Sequence, residues 1–145
     1  MPEKQDARRH AVGMYTLPYI IQEIHDLNTA KGWREEGADG AKTGPWFAAY
    51  IGLAGSELGE ALDAYRDNVW SETCDATEPG IGHNRACSGK AHKHPKPVGV
   101  GPELADALIR VLDMVDIWDI DIIAELTRVL EYGWTRPHQH GGRVL

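Results

Sequence analysis

A chain of 145 residues, 42% of them apolar and 26% charged, is sized for one globular domain with a modest core. Its formal charge of −7 excludes the broad basic face that nucleic-acid binding uses, but leaves room for a nucleotide whose phosphates are neutralised by metal ions. No apolar run is long enough to cross a bilayer, and MPEKQDARRHAVGMY lacks the apolar centre of an export signal, so a cytoplasmic location with no membrane partner is expected and Cys74 and Cys87 need form no disulfide.

Residues 1–15 are polar and aperiodic and read as a tail, with one domain over residues 16–145. Thr16 reads as the N-cap of a first helix, with Pro18 in its first turn. Leu17, Ile20, Ile21, Ile24 and Leu27 recur at helical spacing, so this helix is expected to run to about Ala30, with Gly32 closing it. Residues 35–42 are turn-rich. Thr43 and Pro45 then open a second helix, whose apolar stripe is Phe47, Ile51, Ala54, Leu58, Leu62 and Tyr65. Residues 68–101 are rich in Gly, Pro, His, Lys and Ser and read as one long irregular loop, partly disordered. Pro102 opens a third helix with a core stripe of Leu104, Leu108, Val111, Leu112 and Val115. Residues 119–121 form a tight connection, and Asp121 caps a fourth helix that ends near Tyr132 and stops at Gly133. No segment alternates as a strand would. The expected fold class is all-α: a four-helix bundle with a long irregular loop between its second and third helices.

Two acidic motifs stand out. Glu57 and Glu60 lie three residues apart on the second helix, and Glu103 and Asp106 repeat that spacing on the third. Each pair shares one helix face, where like charges repel by a few tenths of a kcal/mol, roughly. Both pairs also fall on the side opposite the leucine stripes, where a plain solvated face would put them. Four carboxylates from two bundle helices suit a hard cation such as Mg²⁺, or Mn²⁺, rather than Zn²⁺.

The ordered set ELGEALDAYRD, GPELADALIRVLDM, IHDLNTAKGWRE and TRPHQHGGR resembles the MazG-like, all-α nucleoside triphosphate pyrophosphohydrolases, and within them the short phage-encoded members. The resemblance covers most of residues 20–143. It implies that Glu57, Glu60, Glu103 and Asp106 bind Mg²⁺, with Asp113 as a further ligand or as a partner for a phosphate-binding lysine. It implies hydrolysis of a (d)NTP to a monophosphate and pyrophosphate, by metal-activated water attacking the α-phosphate. His25, Asn28, Lys31, Trp33 and Arg34 match the family's substrate-binding first-helix region, and Arg136, His140 and Arg143 match its C-terminal stretch. Arg110 is placed with this substrate-binding set. A homo-oligomer, dimer or tetramer, follows from how little core a short bundle buries alone.

The long loop sets this chain apart from the family's usual spacing. Its Lys90, Lys93 and Lys96 suggest a basic lid over a triphosphate. Cys74, His83, Cys87, His92 and His94 suggest a zinc site, although their spacing matches no common finger. The alternative to catalysis is a helical interaction module that has kept the fold and lost the activity.

Overall fold

Each predicted helix forms, and the ends of three of them are set by a single residue in the left-handed region. The computed structural model describes residues 16–33, 44–84 and 86–136. In chain order these are α1 (Leu17–Ala30), α2 (Gly44–Arg66), β1 (Glu72–Cys74), β2 (Lys96–Val98), α3 (Val100–Ile117) and α4 (Ile122–Thr135). The expected N-terminal tail, the turn-rich segment 35–42 with its Thr43 cap, and residues 137–145 lie outside the described residues.

α1 ends as the sequence predicts. Gly32 takes a φ of 79°, its N–H reaches Thr29 O, and Trp33 N–H reaches Asn28 O at 2.9 Å. These paired bonds satisfy the last carbonyls of the helix. α2 and α3 close the same way without glycine. Asn68 (φ 58°) and Asp119 (φ 52°) occupy the left-handed position, and Val69 and Ile120 donate back to Ala64 O and Val115 O. Asn and Asp tolerate this conformation better than other side-chain-bearing residues.

The helix starts are less uniform. Thr16 precedes α1 with extended backbone, but its hydroxyl makes no capping bond. Asp121 does cap α4, accepting from Ala124 N–H at 3.0 Å. α3 begins at Val100 rather than at Pro102. Proline within the first turn costs nothing, because its missing N–H would have no helical partner there. α4 runs past Gly133 to Thr135. One glycine costs a helix only about 1 kcal/mol. The stop comes at Arg136, whose extended backbone is what the following Pro137 demands.

The expected irregular loop instead contains a hairpin. β1 and β2 pair antiparallel with Glu72 opposite Val98, Thr73 opposite Pro97 and Cys74 opposite Lys96. Below them the chain is pinched: Val100 N–H bonds Val69 O at 3.0 Å and Gly101 N–H bonds Trp70 O at 2.8 Å. Gly99 sits in this neck at φ 119°, where a Cβ would meet the Trp70 carbonyl carbon at 2.9 Å. Residues 71–98 therefore leave and rejoin the helices at one point. The described residues are thus mostly helical, with one small two-stranded sheet.

α2 and α3 form the principal helix pair, and α1 packs on α3. Their seam is not the one the leucines suggest. On α2 the buried residues are Ala54, Ala61 and Ala64; on α3 they include Glu103, Ala107 and Met114. Leu58, Leu62, Leu104, Leu108 and Val111 are all exposed on the chain by itself. Each helix carries two apolar stripes, and the small-residue stripe lets the backbones approach closely. The expected stripes are thus corrected at Phe47, Ile51, Leu58, Leu62, Tyr65, Leu104, Leu108 and Val111, all exposed, while Ala54, Leu112 and Val115 are buried as expected. At the far end of the pair, Trp118 meets Phe47 and Tyr50 edge-on, with ring centroids 5.0 and 5.6 Å apart. α4 has no buried residue.

Candidate functional site

The alanine seam changes where the acids point. Because α2 presents Ala54, Ala61 and Ala64 inward, Glu57 on the same face is also turned towards α3. On α3, Glu103 lies one turn before the buried Ala107 and is itself only 5% exposed. Glu57 and Glu103 therefore line the joint between the helices and not the solvated face assigned to them by the leucine stripes, while Glu60 and Asp106 are exposed at its edge. One carboxylate oxygen each from Glu57, Glu103 and Asp106 lie within 4.8 Å of one another.

Such a cluster is costly without a cation. Burial, then the negative charge of Glu60, push the Glu103 carboxyl above its usual range, while Lys96 pulls the other way. Asp106 is more open to solvent, yet it is also pushed up, by burial and then by Glu57, against Arg110 and Lys96. Glu60 thus belongs to the electrostatic group although it is not one of the three closest carboxylates. Arg110 Nε lies 3.3 Å from Glu57 Oε1, a half-exposed ion pair that orients Glu57 from one side.

Beside the acids is a cleft of about 180 Å³. Its walls include Glu60 of α2, Asp67 just past the end of that helix, Glu103 of α3, and Ser88 and Lys96 from the hairpin segment. Lys96 is the residue that sequence reasoning placed only loosely. Pairing opposite Cys74 in the ladder carries it from the basic island of residues 90–96 to the edge of the acidic cleft.

The other expected substrate residues divide. Asn28 Nδ2 donates to Asp113 Oδ1 at 2.7 Å, and His25 Nδ1 lies 2.9 Å from Asp116 Oδ2. These bonds tie α1 to α3. Asp113 is buried and joined to Asn28, and it is not among the three clustered carboxylates. Asp116 was absent from the expected set, and its sequence signal was its place one helical turn beyond Asp113. Lys31 and Trp33 are exposed, Trp33 to 71%. Arg136 stacks over the Tyr132 ring at 5.8 Å. Arg34, His140 and Arg143 lie outside the described residues.

A second group of ligand-type residues closes the tip of the hairpin segment. One donor atom each from Cys74, His83, Cys87 and His92 lie within 4.8 Å of one another. His94, expected with them, is exposed and not part of the group. The Cys74 thiol is lowered to about 7, chiefly by the backbone hydrogen bond at Ala76, against the effect of its burial. No helix among the described residues is long and apolar enough to cross a membrane. No protein-family model, curated protein or solved structure matches the chain.

Proposed function

We propose that this chain is a Mg²⁺-dependent nucleoside triphosphate pyrophosphohydrolase of the MazG-like type, hydrolysing a (d)NTP of the cytoplasmic pool to a monophosphate and pyrophosphate. The observation that carries the reading is the meeting of Glu57, Glu103 and Asp106 from two helices within 4.8 Å, with Glu103 buried. An all-oxygen donor set of this charge fits a hard divalent cation. The raised carboxyls of the buried Glu103, pushed up by burial and then by Glu60, and of the more open Asp106, pushed up by burial and then by Glu57, fit it as well, since a cation offsets the repulsion.

Glu57, Glu103 and Asp106 would hold the metal, Mg²⁺ or alternatively Mn²⁺, with Glu60 completing the set from the cleft wall. When bound, it supplies charge neutralisation at phosphoryl oxygens and an acidified water. The chain's own residues supply position. Lys96 on the cleft wall offers a point charge for a phosphate oxygen. Arg110 holds Glu57, and the Asn28–Asp113 and His25–Asp116 bonds set α1 against α3, which puts Lys31 and Trp33 at the end of a fixed helix. Phosphoryl transfer draws its rate from such positioning and electrostatics, so no covalent nucleophile is needed.

The working unit is a four-helix bundle completed by a second copy. Ile123, Leu126 and Leu130 fall on one face of α4 and are exposed, as are the leucines on the outer faces of α2 and α3. Exposed apolar surface on this scale marks an interface. Light scattering after size exclusion is expected to give a dimer or tetramer, and Leu126→Glu to shift it towards monomer.

The test of the activity is a nucleotide panel with Mg²⁺ and pyrophosphate detection. Pyrophosphate release from at least one nucleotide is expected, lost in Glu57→Gln and in Asp106→Asn. Release from none, or rates unchanged in both variants, would overturn the proposal.

A further inference from the structure

We propose that Cys74, His83, Cys87 and His92 bind one structural Zn²⁺, and that this ion folds residues 71–98 into the wall of the acidic cleft. The inference rests on four donor atoms converging from across a segment whose regular structure is little more than the three-residue β1–β2 ladder. His83 Nδ1 lies 3.0 Å from Cys87 Sγ and 3.4 Å from Cys74 Sγ, and His92 Nε2 lies 3.0 Å from Cys87 Sγ. Two ligands of one tetrahedral zinc, at about 2.3 Å for sulfur and about 2.05 Å for nitrogen, stand about 3.5 Å apart. The observed group is that arrangement, drawn slightly inward.

The histidine tautomers agree. His83 Nε2 lies 2.9 Å from Glu78 O, a partner that can only accept. The Nε2–H therefore donates to that carbonyl, and Nδ1 turns its lone pair to the two sulfurs. A metal-bound histidine is oriented in this way, by a carbonyl on its other nitrogen. The His83 and His92 rings meet edge-on at 5.5 Å, so both imidazoles are fixed around the same point.

The segment also needs such an ion. Its apolar core is Cys74, Ala76 and Val98, with Ala86 and Cys87 packed against it. A core this small does not hold a unit of fewer than roughly 40 residues without a disulfide, a metal or a partner. A Cys74–Cys87 disulfide would use the two sulfurs but leave His83 Nδ1 and His92 Nε2 aimed at them for no purpose. Zinc uses all four donors. Two thiolates and two imidazoles select Zn²⁺ over the hard cation of the acidic site, and four protein ligands leave no open position for catalysis.

The neck and the ion together define a closed unit. Bonds from the Val100 and Gly101 N–H groups to Val69 O and Trp70 O fix its base, the β1–β2 ladder its stem, and the metal its tip. Ala86, Cys87 and Ser88 from the tip, and Lys96 from the stem, face Glu60 and Glu103 across the cleft. The zinc stands independently of the activity proposed above; only its effect on substrate rests on that reading.

The experiment is metal analysis of the full chain, purified without chelators or a metal-affinity tag, before and after reconstitution of the reduced protein. One zinc per chain is expected. Co²⁺ substitution should give the intense visible bands of a tetrahedral site together with sulfur-to-cobalt charge transfer. Cys74→Ser with Cys87→Ser, and separately His92→Ala, should lose both signals, while Glu103→Gln keeps them. Because a cysteine variant can fail to fold, the cobalt spectrum of the unaltered chain decides by itself. A reconstituted chain with no bound zinc and no thiolate–cobalt band, or zinc retained by the double cysteine variant, overturns the proposal whatever the nucleotide panel shows.

Discussion

Replacing Glu103 by Gln should stabilise the chain in the absence of magnesium and abolish its stabilisation by magnesium. Glu103 is 5% exposed and lies within 4.8 Å of carboxylate oxygens from Glu57 and Asp106. At that separation two unit charges repel by about 3.5 kcal/mol at an effective dielectric near 20, and by about 0.9 kcal/mol in bulk water. Glu103 is buried but its neighbours are partly open, so the true figure lies between these limits. Lys96 offsets part of it. A net relief of about 1–3 kcal/mol is expected, or a rise in Tm of roughly 3–9 °C for a chain of this size. Gln keeps the side-chain length, and its amide can donate to the remaining carboxylates, so no cavity or orphaned donor opposes the gain.

The magnesium term has the opposite sign. A ligand at a hundred times its Kd stabilises the folded state by about 2.7 kcal/mol, and the variant should lose most of this. The assay is thermal unfolding of both proteins in magnesium-free buffer and across a magnesium titration. Chelator is left out so that the cysteine–histidine group is undisturbed. The curves should cross: the variant higher without magnesium, the unaltered chain gaining on it as magnesium is added. A variant less stable in magnesium-free buffer, or equally stabilised by magnesium, refutes the reasoning.

The same carboxyls set a pH dependence. Glu103 and Asp106 hold their protons to higher pH when folded than the ordinary 4.5 and 3.8, so the folded state binds more protons across that window. Metal-free stability should therefore fall as pH rises from those values through the raised folded ones, and a denaturant midpoint series should show a shallower fall in Glu103→Gln. Gly99→Ala drives a Cβ to 2.9 Å from the Trp70 carbonyl carbon at a φ that side-chain-bearing residues rarely adopt. It should cost on the order of 1–3 kcal/mol, and limited proteolysis should show faster cleavage within residues 71–98. Asn28→Ala strips a 2.7 Å hydrogen bond from the buried Asp113. A loss of about 1.5–3 kcal/mol by denaturant unfolding is expected; a loss under about 0.5 kcal/mol would mean that the bond does not hold α1 to α3.

Helix existence was legible because leucine and isoleucine spacing carries it, and two of the predicted end signals, Gly32 as a stop and Asp121 as an N-cap, act as their chemistry suggests. Asn68 and Asp119 close helices where no glycine advertises it. Gly133 is a false stop for a related reason: glycine ends a helix by what it does with φ, and at Gly133 the helix simply continues. The hairpin was hidden because three-residue strands are too short to alternate. The four metal-type ligands were visible as residue types, but the pairing of Cys74 opposite Lys96 and the turns that return His83 and His92 to one point are tertiary facts.

The deepest misreading concerned phase, and its cause bears on the chemistry. Volume drew attention to Leu58, Leu62, Leu104 and Leu108, and a single amphipathic period would send Glu57 and Glu103 to solvent. α2 and α3 have two apolar faces, and the alanine face meets first. Alanines bring the helix axes close, and only close axes let short carboxylates from opposite helices approach to within 4.8 Å. The leucines are then left exposed on the single chain, as the face proposed above to meet a second copy. An acidic joint that repels itself and a leucine face left to water are both unfavourable in the isolated chain. A cation relieves the first and self-association the second. The two ligands should therefore couple: each stabilises the α2–α3 pair that the other requires, so magnesium should tighten the oligomer and Leu126→Glu should weaken magnesium binding.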